Sequence, residues 1–286
     1  MSKIVIIGAS GFIATNARKF FLQNNHSVIS ISRRNFRKIK NETKIISKDY
    51  SEKDIITKIK NSDVLFHLVG IGKQTVENDY QTINYEFTKK IINICKSAKI
   101  KHIVYLSGLG VSKNTPLGYF ISKYKSEQAI INSGLNYTIF RPSFVIGKND
   151  YLTKNLKNQA KQNKLLIPGS GKFKFQPISI SDVVRVFDKT LNNNKFRNKV
   201  LDLVGPKIIT YEKYVELFSQ ITKTSFQKLN LETAYYKAIS NPNPPFELDD
   251  LNLLVGNFIG NHKKLQKITN LKFSQPNEIL ESSSLS

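Results

Sequence analysis

The 286-residue chain predicts an α/β fold, a doubly wound parallel sheet with a smaller carboxyl-terminal α+β lobe. Three observations predict it. A short, unbroken, β-branched run, Lys3-Ile4-Val5-Ile6-Ile7, passes through Gly8 and Gly11 straight into a helical pattern. Four more apolar runs of strand length follow before residue 109, separated by amphipathic stretches, the alternation that builds parallel sheets. From about Lys148 the texture changes to turn-rich segments and short helices. The expected division is residues 1–147 for the sheet domain and 148–286 for the smaller lobe, interleaved with it.

The first run is apolar at every position, as a central strand buried on both faces must be. Gly8 permits a tight turn. Gly11 lacks a Cβ, so a pyrophosphate can approach the backbone, and Ala14 stands where dinucleotide-binding turns usually carry a third glycine. The helix from about Phe12 to Asn24 directs its free N–H groups and positive dipole end at that phosphate. Gly8, Ser10, Gly11, Phe12 and Ile13 are therefore the candidate phosphate contacts. An ordinary strand–turn–helix shares this spacing. The N-terminal position and the second strand at the expected distance separate the two.

Ser27-Val28-Ile29-Ser30-Ile31-Ser32 is that second strand. NAD sites usually place an acid at its end, on the ribose 2′-hydroxyl. Here the chain reads Ser32-Arg33-Arg34, and a guanidinium fork suits a 2′-phosphate. NADP(H) is the preferred cofactor on this reading and NAD the other; two plain surface cations in a basic chain would look the same. Lys44 to Ser47 gives a third strand, Glu52 to Lys60 a helix, and Asp63 to Gly70 a fourth strand. Ligands of open parallel sheets sit outside the carboxyl ends of strands, which brings Gly8, Ser32, Asp49 and Gly70 to one edge. His67, among apolar neighbours, reads as a packed side chain. A long amphipathic helix follows over Glu77 to Ala98, with Cys95 on its core face, and His102 to Gly108 forms a fifth strand with Ser107 near its carboxyl end.

Tyr119-Phe120-Ile121-Ser122-Lys123 opens the next helix (Lys123 to Ile131). Positions i and i+4 share a helix face, so Tyr119 and Lys123 meet. An ammonium beside a phenol favours the phenolate, which predicts a lowered Tyr119 pKa and an acid/base usable near neutral pH. Lys123 also has the reach for a cofactor ribose.

These pieces resemble the extended and atypical short-chain dehydrogenase/reductases, the epimerase/dehydratase-like superfamily. The resemblance is carried by Gly-Ala-Ser-Gly-Phe-Ile-Ala at 8–14, Val-Leu-Phe-His-Leu-Val-Gly at 64–70, Ile-Asn-Tyr at 83–85 and Tyr-Leu-Ser-Gly at 105–108. Tyr-x-x-x-Lys at 119–123 with Glu127, Tyr-Thr-Ile-Phe-Arg-Pro-Ser at 137–143 and Gln-Pro-Ile-Ser-Ile-Ser-Asp-Val at 176–183 extend it. Within the superfamily the chain most resembles the atypical group of the nucleotide-binding accessory subunit of respiratory complex I and its prokaryotic relatives, and Leu-Asp-Asp-Leu-Asn-Leu-Leu at 248–254 adds to that similarity. The resemblance implies Tyr119 as acid/base and Lys123 as its partner; the substrate oxygen is held by Ser107, or by Ser112, or that hydroxyl is absent from this chain. It implies that Asp49 contacts adenine, that Leu68, Val69, Gly70 and Asn84 line the cofactor, and that Pro142 and Ser143 lie near the nicotinamide. Active members usually pair two serines where this chain has Ser107-Gly108.

In the carboxyl half, Leu165 to Gly171 reads as a turn-rich loop, and Ser181 or Asp182 as the cap of a helix. Thr210 opens a helix to about Ile221. Asn241-Pro242-Asn243-Pro244-Pro245 is an extended connector. His262 reads as exposed beside Lys263 and Lys264, and the serine-rich end reads as frayed.

Composition sets the remaining bounds. One cysteine excludes an internal disulfide and fits a reducing compartment. The apolar N-terminal run is too short for a signal peptide, and no stretch is long enough to span a bilayer, so the expected location is cytoplasmic, with a peripheral membrane position as its variant. The formal charge of +23 fits either dispersed, solvated lysines or a basic face for an anionic membrane surface or a respiratory-complex partner. No nucleic-acid module is recognisable, and no His/Cys cluster suggests a metal. Three functions follow: an NADP(H)-dependent reductase acting on a small-molecule carbonyl or alcohol, a nucleotide-holding accessory protein without turnover, and a nucleotide-sugar epimerase or dehydratase.

Overall fold

The computed structural model describes residues 1–50 and 52–284. In chain order the first half runs β1 (Lys3–Ile7), α1 (Phe12–Gln23), β2 (Ser27–Ser32), β3 (Thr43–Ile46), α2 (Glu52–Ile59) and β4 (Val64–His67). A π-helical turn, Gln81–Glu86, leads into α3 (Phe87–Ser97), followed by β5 (His102–Leu106), α4 (Gly118–Ile131) and β6 (Asn136–Pro142). The second half holds β7 (Val145–Ile146), α5 (Tyr151–Lys161), β8 (Leu165–Pro168), β9 (Lys174–Phe175), β10 (Ile178–Ser179), α6 (Ile180–Lys189) and β11 (Lys199–Leu203). It closes with β12 (Ile209–Thr210), α7 (Tyr211–Thr222), β13 (Phe226–Leu229), α8 (Leu231–Ser240), α9 (Leu248–Leu254), α10 (His262–Thr269) and α11 (Pro276–Ser284).

The central sheet has seven strands in the order β11-β6-β5-β4-β1-β2-β3. β1 pairs in parallel with β2 and β4, β2 with β3, β4 with β5, and β5 with β6. From β3 to β6 this is the Rossmann strand order, with its switch point between β1 and β4. The predicted fold class is therefore observed. β1 is central, and its Ile4 to Ile7 are wholly buried.

The chain divides into two compact units. The first comprises Met1–Arg141, Val183–Leu201 and Lys267–Asn270; the second comprises Pro142–Asp182, Asp202–Gln266 and Leu271–Ser286. The first unit's core packs Val5, Ile31, Leu65, Ile91, Cys95, Ile103 and Ile139 between sheet and helices. Cys95 lies there as expected, with its thiol pushed up to about 12 by burial. On the sheet's other face Phe66 meets Phe21 at 5.2 Å and Phe187 at 5.1 Å. His67 is buried, bonded to the Thr88 hydroxyl at 2.9 Å, and drawn down to about 3 by burial first and the Lys123 charge second. The second unit is built on three small strand pairs, β7–β10, β8–β13 and β9–β12, around Ile146, Leu156, Ile167, Tyr214 and Phe218.

Several local expectations change. Leu165–Pro168 is a strand rather than a loop, because β13 supplies its hydrogen-bonding partner. Residues 77–79 lie outside the long helix; Thr75 and Asn78 exchange backbone hydrogen bonds instead. Helix α4 begins at Gly118, so Tyr119 already lies in its first turn. Ser179, ahead of α6, accepts from the Ser181 N–H, while buried Asp182 accepts from the Ser274 N–H at 2.8 Å. Thr210 does cap α7, accepting from the Lys213 N–H at 3.1 Å. His262 is not exposed: its ring packs edge-on against Phe273 at 4.8 Å, and Nδ1 lies 2.9 Å from the Val204 carbonyl. The end of the chain enters α11, with Ile279 and Leu280 in the second unit's core, while Leu285 and Ser286 lie outside the described residues.

Candidate functional site

The site is built in the first unit, at the carboxyl ends of β1, β2, β4 and β5. β1 ends at Gly8, whose φ of 89° is a left-handed conformation that glycine adopts without strain. The Gly8 and Ala9 N–H groups both donate to the Ile31 carbonyl, at 3.0 and 3.1 Å, and the Gly11 N–H donates to the Gly8 carbonyl at 2.9 Å. A Cβ on Gly8 would meet Val69 Cγ2 at 2.9 Å and the Leu68 carbonyl carbon at 3.1 Å, so the turn lies against the chain leaving β4. Gly11 caps α1 without a side chain, and the helix's first turn contains no acid. Phe12 and Ile13 begin that helix, half-buried. An uncapped helix end behind a glycine turn fits an anionic pyrophosphate.

Beyond β2, the Ser32 hydroxyl lies 3.1 Å from the Ser10 hydroxyl, and the Arg34 N–H points at it from 3.4 Å. Arg33, Asp49, Tyr50, Val69, Phe87 and Lys90 line a cavity of about 310 Å³. Arg34 is exposed and is not part of that wall. Lys90 Nζ donates to the Asp49 carbonyl at 2.7 Å and fixes the Asp49 backbone. Tyr50 is pushed up to about 12 by burial, against the nearby Arg33 charge.

At the ends of β4 and β5, Lys123 is buried and donates to the Leu106 carbonyl at 3.1 Å. Its amine lies 5.0 Å from the Tyr105 ring centre and 6.0 Å from that of Tyr119. A Cβ on Gly70 would stand 2.8 Å from Lys123 Nζ and 3.3 Å from Asn84 Oδ1. The Asn84 amide accepts from the Ile71 N–H at 2.9 Å and donates to the Ser122 hydroxyl at 3.0 Å, so the segment after β4 is tied to α4. The Tyr119 hydroxyl lies against Gly108, 3.2 Å from where a Cβ would be. The Ser107 hydroxyl is buried and has no hydrogen-bond partner among the described residues. Pro142 and Ser143 fall in the second unit, where Ser143 Oγ accepts from the Gln176 N–H at 3.3 Å.

One electrostatic expectation is reversed. Tyr119 is raised rather than lowered: burial outweighs the Lys123 charge that pulls the other way. The ring packs edge-on against Tyr80 at 5.8 Å and Phe120 at 5.1 Å. Burial also draws Lys123 below its ordinary value, against Tyr119 and Glu127, so the pair favours neutral forms when left to itself. Glu127 is itself buried and held by Arg141, at 2.9 and 2.6 Å.

Two features escaped the sequence reading. The first is the π-helical turn that carries Asn84. The second is a buried ion pair between Arg18 and Glu42, Nε to Oε1 at 2.6 Å and Nη2 to Oε2 at 2.8 Å. A signal for the second exists: Arg18 follows Ala14 and Ala17 and precedes Phe21 on the core face of α1, where a cation requires a partner. Among the described residues, no three His, Cys, Asp or Glu side chains gather as metal ligands would, and no helix is long and apolar enough to cross a membrane.

Known proteins resemble the chain in sequence and in fold. The profile of a family described as NAD(P)H-binding matches residues 8–194. The chain is similar to the mitochondrial NADH dehydrogenase [ubiquinone] 1 alpha subcomplex subunit 9 of Arabidopsis thaliana, with 24% identity over 194 residues, which is 67% of this chain and 48% of that protein. It thus spans about half the length of that relative. It is also similar to an ADP-L-glycero-D-manno-heptose-6-epimerase of Brachyspira hyodysenteriae, with 29% identity over 68% of this chain and 72% of that one. In fold it superposes on the UDP-glucuronic acid 4-epimerase of Bacillus cereus, solved with UDP-glucuronic acid and NAD, with a TM-score of 0.78 and 19% identity over 98% and 97% of the two chains.

Proposed function

This chain belongs to the NAD(P)H-binding family, and from that premise we propose that it is an NADP(H)-dependent atypical short-chain reductase, moving hydride to or from a carbonyl or alcohol carbon of a small molecule. The observation that carries the reading is the meeting of Lys123 with Gly70 and of the Tyr119 hydroxyl with Gly108, in the unit that also holds the phosphate turn. Gly8, Ser10, Gly11, Phe12 and Ile13 hold the pyrophosphate, Arg33 and Arg34 the 2′-phosphate, and Asp49 the adenine. Leu68, Val69, Gly70 and Asn84 flank the cofactor, and Lys123 takes a ribose hydroxyl. A nicotinamide bound there supplies the hydride donor or acceptor. Tyr119 gives its phenolic proton to the substrate oxygen in reduction and takes it back in oxidation. Lys123, close behind, stabilises the phenolate left after transfer. Ser107 offers its unpartnered hydroxyl to the substrate oxygen.

Calorimetric titration with NADPH and NADH tests the cofactor, and a panel of aldehydes and ketones tests turnover. Tighter NADPH binding that Arg33→Ala removes, with turnover lost in Tyr119→Phe, is the expected result. Equal affinities would sink the cofactor assignment.

A second reading rests on Gly108. With no hydroxyl beside Tyr119 at that position, the chain would hold nucleotide without turning over, as an accessory protein at a membrane-associated respiratory assembly. NADPH binding without turnover on any carbonyl of the panel favours it. The similarity to complex I subunits fits it, and a cytoplasmic, peripheral position goes with it. A nucleotide-sugar epimerase is the third reading; retained NAD in the purified protein would favour it, whereas Arg33 in the wall of the adenine-side cavity favours NADP(H).

A further inference from the structure

The segment that follows β2, Arg33-Arg34-Asn35-Phe36-Arg37-Lys38-Ile39-Lys40-Asn41-Glu42, contains five cations and a single acid. That acid is not at the surface. Glu42 is buried, and its carboxylate receives Arg18 on both oxygens, the Ser30 hydroxyl from β2 and the Ile39 N–H at 2.9 Å. Arg18 has further tasks. Its Nη1 donates to the Ala9 carbonyl in the phosphate turn at 2.8 Å, and its Nη2 to the Arg37 carbonyl at 2.8 Å, while the guanidinium stacks on Phe36 at 4.5 Å. One side chain on α1 therefore joins the turn after β1 to the loop after β2. Burial alone would push Glu42 up; the hydrogen bonds from Arg18, Ser30 and Ile39 outweigh it and hold the carboxyl below its ordinary value, so the pair stays ionised.

We propose that the Arg18–Glu42 pair is the positioning element of cofactor selectivity: it sets the backbone of residues 33–42 before any nucleotide arrives and withdraws the loop's only carboxylate from the surface that meets the ribose 2′ position. Two consequences follow from the chemistry. A preformed loop binds its anion without first being ordered, and that saving enters only the affinity of the nucleotide that uses the loop. A free carboxylate beside Arg33 and Arg34 would repel a 2′-phosphate and accept a 2′-hydroxyl, reversing the preference. Arg18 and Glu42 act through the arginines rather than on the nucleotide, and the inference rests on the NADP(H) reading.

The test is calorimetric titration of the full chain with NADPH and with NADH, for the wild type, Arg33→Ala and Glu42→Gln, beside a thermal melt of each. In Glu42→Gln the NADPH-over-NADH preference is expected to fall about tenfold while NADH affinity stays within about threefold; a purely structural role would lower both affinities together. A folded Glu42→Gln that keeps the wild-type ratio while Arg33→Ala loses it overturns the positioning role and leaves the cofactor assignment standing. A wild type without preference overturns both. Should Glu42→Gln fail to fold, hydrogen exchange on the wild type decides. The Ile39 amide is expected to be protected before nucleotide is added, with little gain on adding NADPH, and free exchange until NADPH arrives would overturn the proposal.

Discussion

The amine of Lys123 occupies the space in which a side chain on Gly70 would begin, 2.8 Å from the Cβ position. The fourth strand's exit and the helix that carries the acid/base pair are thus fitted to each other at one point. Because the crowded atom is the far end of a flexible side chain, Gly70→Ala is expected to fold, with a melting temperature within a few degrees of wild type. Its cost falls on Lys123, which must withdraw from β4. Nucleotide affinity is expected to drop about tenfold, which a fluorescence titration with NADPH would measure; unchanged affinity would remove Lys123 from the cofactor site.

Gly8 is a harsher position. Alanine there combines a φ of 89° with a Cβ 2.9 Å from Val69 and 3.1 Å from the Leu68 backbone, which cannot yield as a side-chain tip can. Gly8→Ala is expected to cost about 1–3 kcal/mol of stability by denaturant titration and to abolish measurable nucleotide binding.

The raised Tyr119 pKa gives the reaction directions different pH profiles. Reduction uses the phenol as acid, and that form dominates throughout the neutral range, so its rate is expected to be flat from about pH 6 to 9. Oxidation needs the phenolate, whose fraction grows tenfold per pH unit below the pKa. Its rate is therefore expected to climb with pH across the same range. Steady-state rates in both directions check this, and an oxidation rate that does not rise with pH would exclude Tyr119 as the base.

His67 and His102 make a stability prediction with a definite sign. Each is buried and bonded to a threonine hydroxyl at 2.9 Å, and each is held near 3, by burial first and a nearby cation second. The unfolded chain takes protons at both sites below about 6.5, while the folded chain refuses them. Their full contribution is present above pH 6.5 and is lost as pH falls toward 3, at about 1.4 kcal/mol per pH unit for each histidine. Urea unfolding at a series of pH values should show this slope, and replacing both with glutamine should flatten it.

The sheet was legible because its signal is local: β-branched runs ending in glycine need only their own residues to declare themselves. Gly8, Gly11, Tyr119 and Lys123 were legible for the same reason, their spacing along one turn or one helix face. What stayed hidden depends on distant partners. Leu165–Pro168 became a strand only because Phe226–Leu229 pairs with it. Arg18 and Glu42 stand 24 residues apart and meet only when α1 folds back on β2. The sign of the Tyr119 shift is hidden because i+4 spacing reveals the neighbouring cation but not how much water the surrounding Tyr80 and Phe120 exclude.

The π-helical turn at Gln81–Glu86 has a consequence for how this fold tolerates change. Its Phe87 N–H reaches back five residues to the Thr82 carbonyl instead of four, which is the signature of one extra residue housed within a helix. That register lets the Asn84 carbonyl receive the Thr88 and Ser126 hydroxyls while its amide faces Ile71 and Ser122. Excising Tyr85 or Glu86 would let the helix close into regular α geometry and rotate what precedes the cut, Asn84 included, by about 100° relative to α3. A deletion that makes the helix more ideal would thus carry Asn84 off its partners, and an alignment that gaps this turn would hide the residue's reason for being there.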